Sequence, residues 1–142
     1  MDEAALTFVY GVFHDLGPRR FVLEVGPEGH APELDGSKWA ANDLSDERSA
    51  KLRAQWVERK QFAEGFEPDT IVCAGVLERV AAPLALVLTA QRALAPGGVL
   101  VVVTRDPVAS GDLRNWLMAF DRCHVEESGG QVFGVAWKAT GL

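Results

Sequence analysis

The chain has 142 residues, enough for one domain with a sizeable core, and its 48% hydrophobic and 24% charged residues are typical of soluble globular proteins. Its 20 acidic residues outnumber its 14 basic ones, and the net charge of −6 argues against nucleic acid as a partner, because phosphate binding needs a positive surface. The two cysteines, Cys73 and Cys123, give neither a disulfide framework nor a C-x-x-C spacing, and we predict no metal site.

The amino-terminal segment predicts a protein that stays outside the secretory route. Asp2 and Glu3 precede its apolar stretch, whereas a signal peptide carries positive charge at that place. No apolar run approaches the ~20 residues that a membrane span requires. We therefore expect a cytoplasmic protein without a membrane partner, in which residues 1–142 form a single domain.

The first two elements follow from apolar spacing. A helix is predicted at the amino terminus, ended by Gly17-Pro18, because its apolar residues recur at helical intervals. These residues are Leu6, Val9, Phe13 and Leu16. A short apolar strand is then predicted at Phe21–Val25.

The next segment mixes strand, turn and helix signals. A second strand is predicted at Lys38–Asn42, ending on Asp43, and Pro27–Ser37 before it leaves room only for a short helix. Ser45–Gln55 begins with a serine cap and has early acids and late bases, which favours a helix. Val57–Phe62 is a candidate third strand.

The middle of the chain has the clearest patterns. Asp69–Ala74 and Val99–Thr104 are almost wholly apolar, which predicts two buried strands side by side at the centre of the sheet. Pro83–Leu94 between them is predicted to be a helix, with the proline in its first turn and Gly97-Gly98 after its end.

The carboxyl-terminal part predicts one more helix and a hairpin. The helix begins at Ser110 or Asp112 and runs through Cys123. Its inner face carries Leu113, Trp116, Leu117 and Phe120. Gly129-Gly130 then joins two strands, which are His124–Glu127 and Gln131–Lys138.

Strands that alternate with helices predict an α/β fold with a mostly parallel sheet covered on both faces, to which the final hairpin adds an antiparallel strand. Ligands of such sheets bind beyond the carboxyl ends of the strands. The candidate functional positions are therefore the residues that follow the strands: Glu24–His30, Asn42-Asp43, Ala63-Glu64, Ala74–Arg79 and Arg105-Asp106.

Pro68–Val103, which reads PDTIVCAGVLERVAAPLALVLTAQRALAPGGVLVVV, resembles the class I S-adenosylmethionine-dependent methyltransferases. They typically carry Phe-Asp-hydrophobic-Val, then Val-Leu-Glu-His-Val, an amphipathic helix, and Arg-x-Leu-x-Pro-Gly-Gly before the next strand. Arg79 replaces the usual histidine here. Upstream, FVLEVGPEG resembles the first motif of the family, and ANDLS resembles the second strand with its ribose-binding acid. The resemblance implies a Rossmann-like methyltransferase fold, with a twisted sheet, helices on both faces and a carboxyl-terminal antiparallel hairpin.

The resemblance also implies S-adenosylmethionine as the cofactor and assigns residues to it. Asp43 matches the acid that accepts hydrogen bonds from both ribose hydroxyls, although it could instead cap the helix that follows it. Glu24 matches the first-motif acid that orients the amino group of the methionine part. Gly26 belongs to the same loop, Ala74 ends the strand before the Val-Leu-Glu motif, and Glu64 is the candidate for the adenine-side acid.

The first loop departs from the family at two positions. Glu28 and His30 stand where small residues are expected, and a glutamate there would crowd the cofactor and repel its carboxylate. Alternatively, the loop is shifted in register, so that Gly29 approaches the cofactor and Glu28 points outward. The first arrangement weakens or abolishes binding and the second preserves it.

For catalysis, the resemblance implies in-line displacement on an activated methyl group, which the protein promotes mainly by alignment. A general base helps only when the acceptor must lose a proton. His30 in the first loop and Glu78 after the Asp69–Ala74 strand are the two candidates, with an exposed loop histidine of no chemical role as the alternative for His30.

Three functions are compatible with the sequence. The chain is an active methyltransferase, or a catalytically inactive pseudo-methyltransferase that binds or scaffolds another protein, or a nicotinamide-binding α/β protein. The last is the weakest, because no G-x-G-x-x-G follows the first strand. Few residues are available for a lid and several large aromatic rings are present, so we expect a homo-oligomer or a partner protein.

Overall fold

A computed structural model describes residues 2–17, 21–26, 38–43 and 67–141. Their elements are α1 (Glu3–Leu16), β1 (Phe21–Gly26), β2 (Lys38–Asp43), β3 (Thr70–Ala74), α2 (Pro83–Ala93), β4 (Val99–Arg105), α3 (Ser110–Trp116), a 3-10 turn (Leu117–Ala119), β5 (Arg122–Ser128) and β6 (Gln131–Trp137). The predicted elements in Pro27–Ser37, Ser45–Gln55 and Val57–Phe62 lie outside the described residues.

The six strands of the described ranges form one sheet in the order β2-β1-β3-β4-β6-β5. The first four strands in that order are parallel, and β6 runs antiparallel to both β4 and β5. The predicted Rossmann-like α/β fold is therefore confirmed, and so is the placement of β3 beside β4 in the interior of the sheet.

The sheet buries apolar side chains on both faces. On one face, Ala5, Val9 and Phe13 of α1 pack against alternate strand residues, which include Val72 and Val101. On the other face, α2 and α3 pack over the residues between them, such as Ile71 and Val102. All five residues of β3 are buried, which explains why its sequence is continuously apolar rather than alternating.

The ends of α1 agree with the sequence. The Asp2 carboxylate accepts a hydrogen bond from the backbone N–H of Ala5 at 2.9 Å, which caps the helix at its amino terminus. Gly17 follows the last turn with φ of 78°, a conformation that favours glycine, and its N–H bonds to the carbonyl of Phe13. No helix in the described part of the chain is long and apolar enough to cross a membrane.

The Pro-Gly-Gly turn between α2 and β4 requires both of its glycines. Gly97 has φ of 76°, in the left-handed region. A Cβ on Gly98 would lie 2.8 Å from the carbonyl oxygen of Ala95 and 3.1 Å from that of Asp69. The turn therefore brings the backbone of β4 against the residue that precedes β3.

Lys138, just after β6, joins the end of α2 to the sheet. Its Nζ donates to the carbonyl of Leu94 at 2.7 Å and to that of Arg92 at 3.4 Å, so the ammonium group satisfies carbonyls that the helix leaves open. Desolvation lowers the pKa of Lys138, and the nearby charge of Glu67 opposes that shift.

The helix predicted to run from Ser110 or Asp112 through Cys123 is shorter than expected. α3 ends at Trp116 and the 3-10 turn ends at Ala119, while Cys123 lies in β5. Pairing of β5 with β6 begins at Arg122, opposite Trp137. Arg122 and Cys123, which fit the helical pattern, therefore form part of the hairpin instead. The cap also differs, because Ala109 is the N-cap and its N–H donates to the Asp112 carboxylate at 3.2 Å.

Candidate functional site

Strand register brings several of the predicted site residues to one edge of the sheet. Gly26 and Asp43 are paired across β1 and β2, as the last residues of both strands. Ala74 ends β3 and pairs with Val103 of β4. Because these four strands are parallel, their carboxyl ends form a single edge, which is where ligands of such sheets bind.

Glu24 lies two residues before the end of β1, at the register level of Ala41 in β2 and Val72 in β3. Its backbone therefore lies inside the sheet, two residues before the edge formed by Gly26 and Asp43. Gly29, Glu28, His30 and Glu64 lie outside the described residues, and their roles stay predictions.

The loop after β3 bends at Gly75 and stays beside the end of β4, at the same edge. Gly75 has φ of 70°, and its N–H donates to the carbonyl of Val103 at 2.9 Å. Val76 and Leu77 are buried, and the N–H of Arg79 closes a turn on the carbonyl of Val76. This hydrogen bonding and burial hold the loop beside the end of β4.

Glu78 in this loop is held by the end of β4. Its side chain is only 8% exposed. One carboxylate oxygen accepts a hydrogen bond from the hydroxyl of buried Thr104 at 3.1 Å, and the other lies 3.8 Å from Nε of Arg105. A general-base role for Glu78 would compete with these contacts, whereas they suit a residue that fixes the loop.

The contact of Glu78 with Thr104 is not predicted by the sequence. Arg105 is a candidate position because it follows a strand, whereas Thr104 belongs to the predicted strand itself. The sequence does show that Thr104 is the only polar residue of the predicted strand Val99–Thr104. A buried hydroxyl needs a partner, and the candidate carboxylate Glu78 follows the neighbouring strand.

Glu78→Ala is expected to destabilise the protein by about 1–3 kcal/mol, because it leaves the buried Thr104 hydroxyl without its acceptor. Thermal unfolding measures the loss, and Glu78→Gln serves as the control because it retains an acceptor oxygen. An unchanged melting temperature for Glu78→Ala would show that the contact contributes nothing to the fold.

Cys73, one residue before Ala74, is a core residue, as its apolar sequence context predicts. Its side chain is 2% exposed, and burial raises the pKa of the thiol to about 12. Because the thiolate is the reactive form, Cys73 stays a neutral, unreactive thiol at neutral pH.

Comparison with known proteins accounts for this arrangement. A family model described as a methyltransferase domain matches residues 13–142. The chain belongs to the class I S-adenosylmethionine-dependent methyltransferase family. Among curated proteins, no match is found.

Solved methyltransferase structures share the fold. The N-methyltransferase NodS from Bradyrhizobium japonicum, in complex with S-adenosyl-L-homocysteine, superposes with a TM-score of 0.67 at 17% identity, over 94% of this chain and 85% of that one. A SAM-dependent O-methyltransferase from Thermotoga maritima gives 0.67 at 15% identity, over 98% of this chain but only 66% of that one. Similarity at these identities establishes the fold of this methyltransferase-family chain.

Proposed function

We propose that the chain binds S-adenosylmethionine at the carboxyl edge of β1, β2 and β3 and transfers its methyl group to an acceptor. The pairing of Gly26 with Asp43 is the observation that carries the proposal. This pairing brings Gly26, which has no side chain, to the same edge as Asp43, the acid expected to accept hydrogen bonds from the ribose hydroxyls.

The described residues at this edge fit such a cofactor. Gly26 has no Cβ to keep a ligand from the end of β1, and the residue paired with it at the end of β2 is the acidic Asp43. At the end of β3, Ala74 and Gly75 are both small residues. An acid and small residues at strand ends suit a nucleoside that lies against them.

The protein contributes alignment more than acid–base chemistry. When bound, S-adenosylmethionine supplies a methyl group that its sulfonium already activates. This chain's part is to hold the donor, exclude water and place the acceptor in line. Glu78 fixes the loop after β3 through Thr104 and Arg105, which leaves His30 as the candidate base for an acceptor that must lose a proton.

We assign the close approach in the first loop to Gly29, with Glu28 turned away from the cofactor. The double variant Glu28→Gly, His30→Gly is then expected to bind S-adenosylhomocysteine with nearly the affinity of the wild type. Calorimetric titration of both proteins compares the two dissociation constants.

The alternative, a pseudo-methyltransferase that scaffolds a partner, rests on the same loop sequence. If Glu28 faces the cofactor, removing its bulk and its like charge is worth about 1–2 kcal/mol, a gain in affinity of about tenfold or more. Such a gain from a wild type that binds poorly would favour the pseudoenzyme. The same gain in affinity would reject the role proposed for Gly29 in the first loop.

A further inference from the structure

β5 is the last strand of the sheet, and one of its edges is open. It pairs with β6 from Arg122 to Ser128 in continuous register, and no other strand of the described chain pairs with it. Natural proteins commonly protect such an edge with charged side chains, proline, a bulge or a covering element. β5 carries the charged residues Arg122, Glu126 and Glu127, but it has no proline, and its register is unbroken along its length.

The neighbouring helix leaves this edge accessible. α1 packs over β6, where the ring of Phe8 stacks on that of Phe133 with centroids 4.9 Å apart. A groove of about 440 Å³ separates α1 from His124 and Glu126 of β5. The side chains of these two residues are 59% and 49% exposed.

Hydrogen bonding in the hairpin determines which backbone groups of β5 face outward. The N–H of Lys138 bonds to the carbonyl of Gly98, so alternate β6 residues, counted from Lys138, point toward β4. The remaining ones, including Trp137 and Val135, bond to their β5 partners Arg122 and His124. The outward-facing groups of β5 therefore belong to Cys123, Val125 and Glu127.

We propose that two copies of the chain form a homodimer by antiparallel pairing of β5 with β5, centred on Val125. In that register Val125 pairs with Val125 of the second copy, and Cys123 pairs with Glu127. The outward-facing N–H and C=O groups of Cys123, Val125 and Glu127 then bond to those of the second copy, which gives about six backbone hydrogen bonds between the copies. The sheets of both copies join into one.

Complementary hydrogen-bonding side chains select this register. Within each chain, Nε2 of His124 lies 3.1 Å from Oε2 of Glu126, on one face of β5. Centred on Val125, the dimer places His124 of each copy directly opposite Glu126 of the other, in the closely spaced type of pair where side chains interact most. A shift of the centre to Glu126 would put the two glutamates opposite each other. A shift to His124 would pair the histidines and shorten the strand overlap.

The expected affinity is modest. One strand pair buries far less than the roughly 1,200 Å² of stable protein interfaces, so the dissociation constant is expected in the micromolar range or weaker. Sedimentation velocity over a series from micromolar to hundreds of micromolar concentrations should show a monomer converting to a dimer. A monomer throughout that series would overturn the proposal.

Two kinds of variant test the interface. Val125→Pro removes an outward N–H at the centre of the joint but no hydrogen bond to β6, and it should abolish the dimer. His124→Glu places like charges opposite each other twice, because the interface is symmetric, and should weaken self-association by about tenfold or more. Thermal unfolding of each variant checks that it is folded.

A charge swap tests the register itself. The double variant His124→Glu, Glu126→Lys places unlike charges opposite each other across the centre, and it should dimerise at least as well as the wild type. His124→Glu mixed with Glu126→Lys should form a heterodimer, although each alone dimerises poorly. Dimerisation of the Val125→Pro variant at the wild-type affinity would reject pairing centred on Val125. A double variant that stays monomeric would reject it as well.

Discussion

Asp43→Ala is expected to weaken the binding of S-adenosylhomocysteine by at least about 100-fold, because hydrogen bonds to a charged acceptor contribute roughly 1.5–3 kcal/mol each. Asp43 ends β2 directly beside Gly26, at the edge where the parallel strands stop. Its carboxylate can accept from both ribose hydroxyls, and alanine would leave both unpaired in the complex.

Calorimetric titration measures this loss, and two variants control for it. Asp43→Asn keeps an acceptor oxygen without the charge and should lose about tenfold. Asp121→Ala makes the same chemical change at an exposed residue beside Trp137, far along the sheet from this edge, and should bind like the wild type. Unchanged affinity of Asp43→Ala would mean that the carboxylate only caps the chain that follows β2.

Gly98→Ala is expected to destabilise the fold by about 2–4 kcal/mol, because the new methyl group would press against backbone that cannot move aside cheaply. The Cβ would lie 2.8 Å from the carbonyl oxygen of Ala95 and 3.1 Å from that of Asp69. Both carbonyls are fixed by hydrogen bonds, from the N–H of Gly98 and of Val99. To relieve these close contacts, β4 would have to move away from the start of β3.

Gly111→Ala in α3 is the matched control. A Cβ on Gly111 meets nothing within 4 Å, so alanine should be neutral or stabilise the helix by about 0.5–1 kcal/mol. Thermal denaturation should then show a melting temperature lower by roughly 10 °C for Gly98→Ala and unchanged or higher for Gly111→Ala. Equal melting temperatures would refute the steric account of the Pro-Gly-Gly turn.

Elements whose sequence signal is local were predictable. β3 and β4 are buried on both faces, so their apolar runs had no other good explanation. α1 combines helical spacing with a stopping glycine, and α2 begins with a proline in its first turn. The hairpin was marked by Gly129-Gly130, both of which have positive φ.

Features that depend on distant contacts were not predictable to the same degree. The helical pattern beyond Trp116 continues into β5, and only pairing of Arg122 with Trp137 decides that those residues form a strand. The contact of Glu78 with Thr104 joins residues from different loops and strands, and the Val-Leu-Glu motif gave no sign of it. Local propensity yields to tertiary pairing in both cases.

The sequence predicts the candidate site as an edge of the sheet rather than as a pocket. The end of a parallel strand is a site candidate wherever polar or small residues follow it, and the register of Gly26 with Asp43 agrees with that expectation. Strand patterns do not determine where Gly29, His30 and Glu64 lie, so their roles stay predictions.

Titration of the wild-type chain with S-adenosylhomocysteine, with NAD as the comparison ligand, is the decisive measurement for cofactor binding. We expect saturable binding of S-adenosylhomocysteine at one site per chain and no binding of NAD. Absence of binding at millimolar S-adenosylhomocysteine, by a chain that circular dichroism shows to be folded, would contradict this expectation.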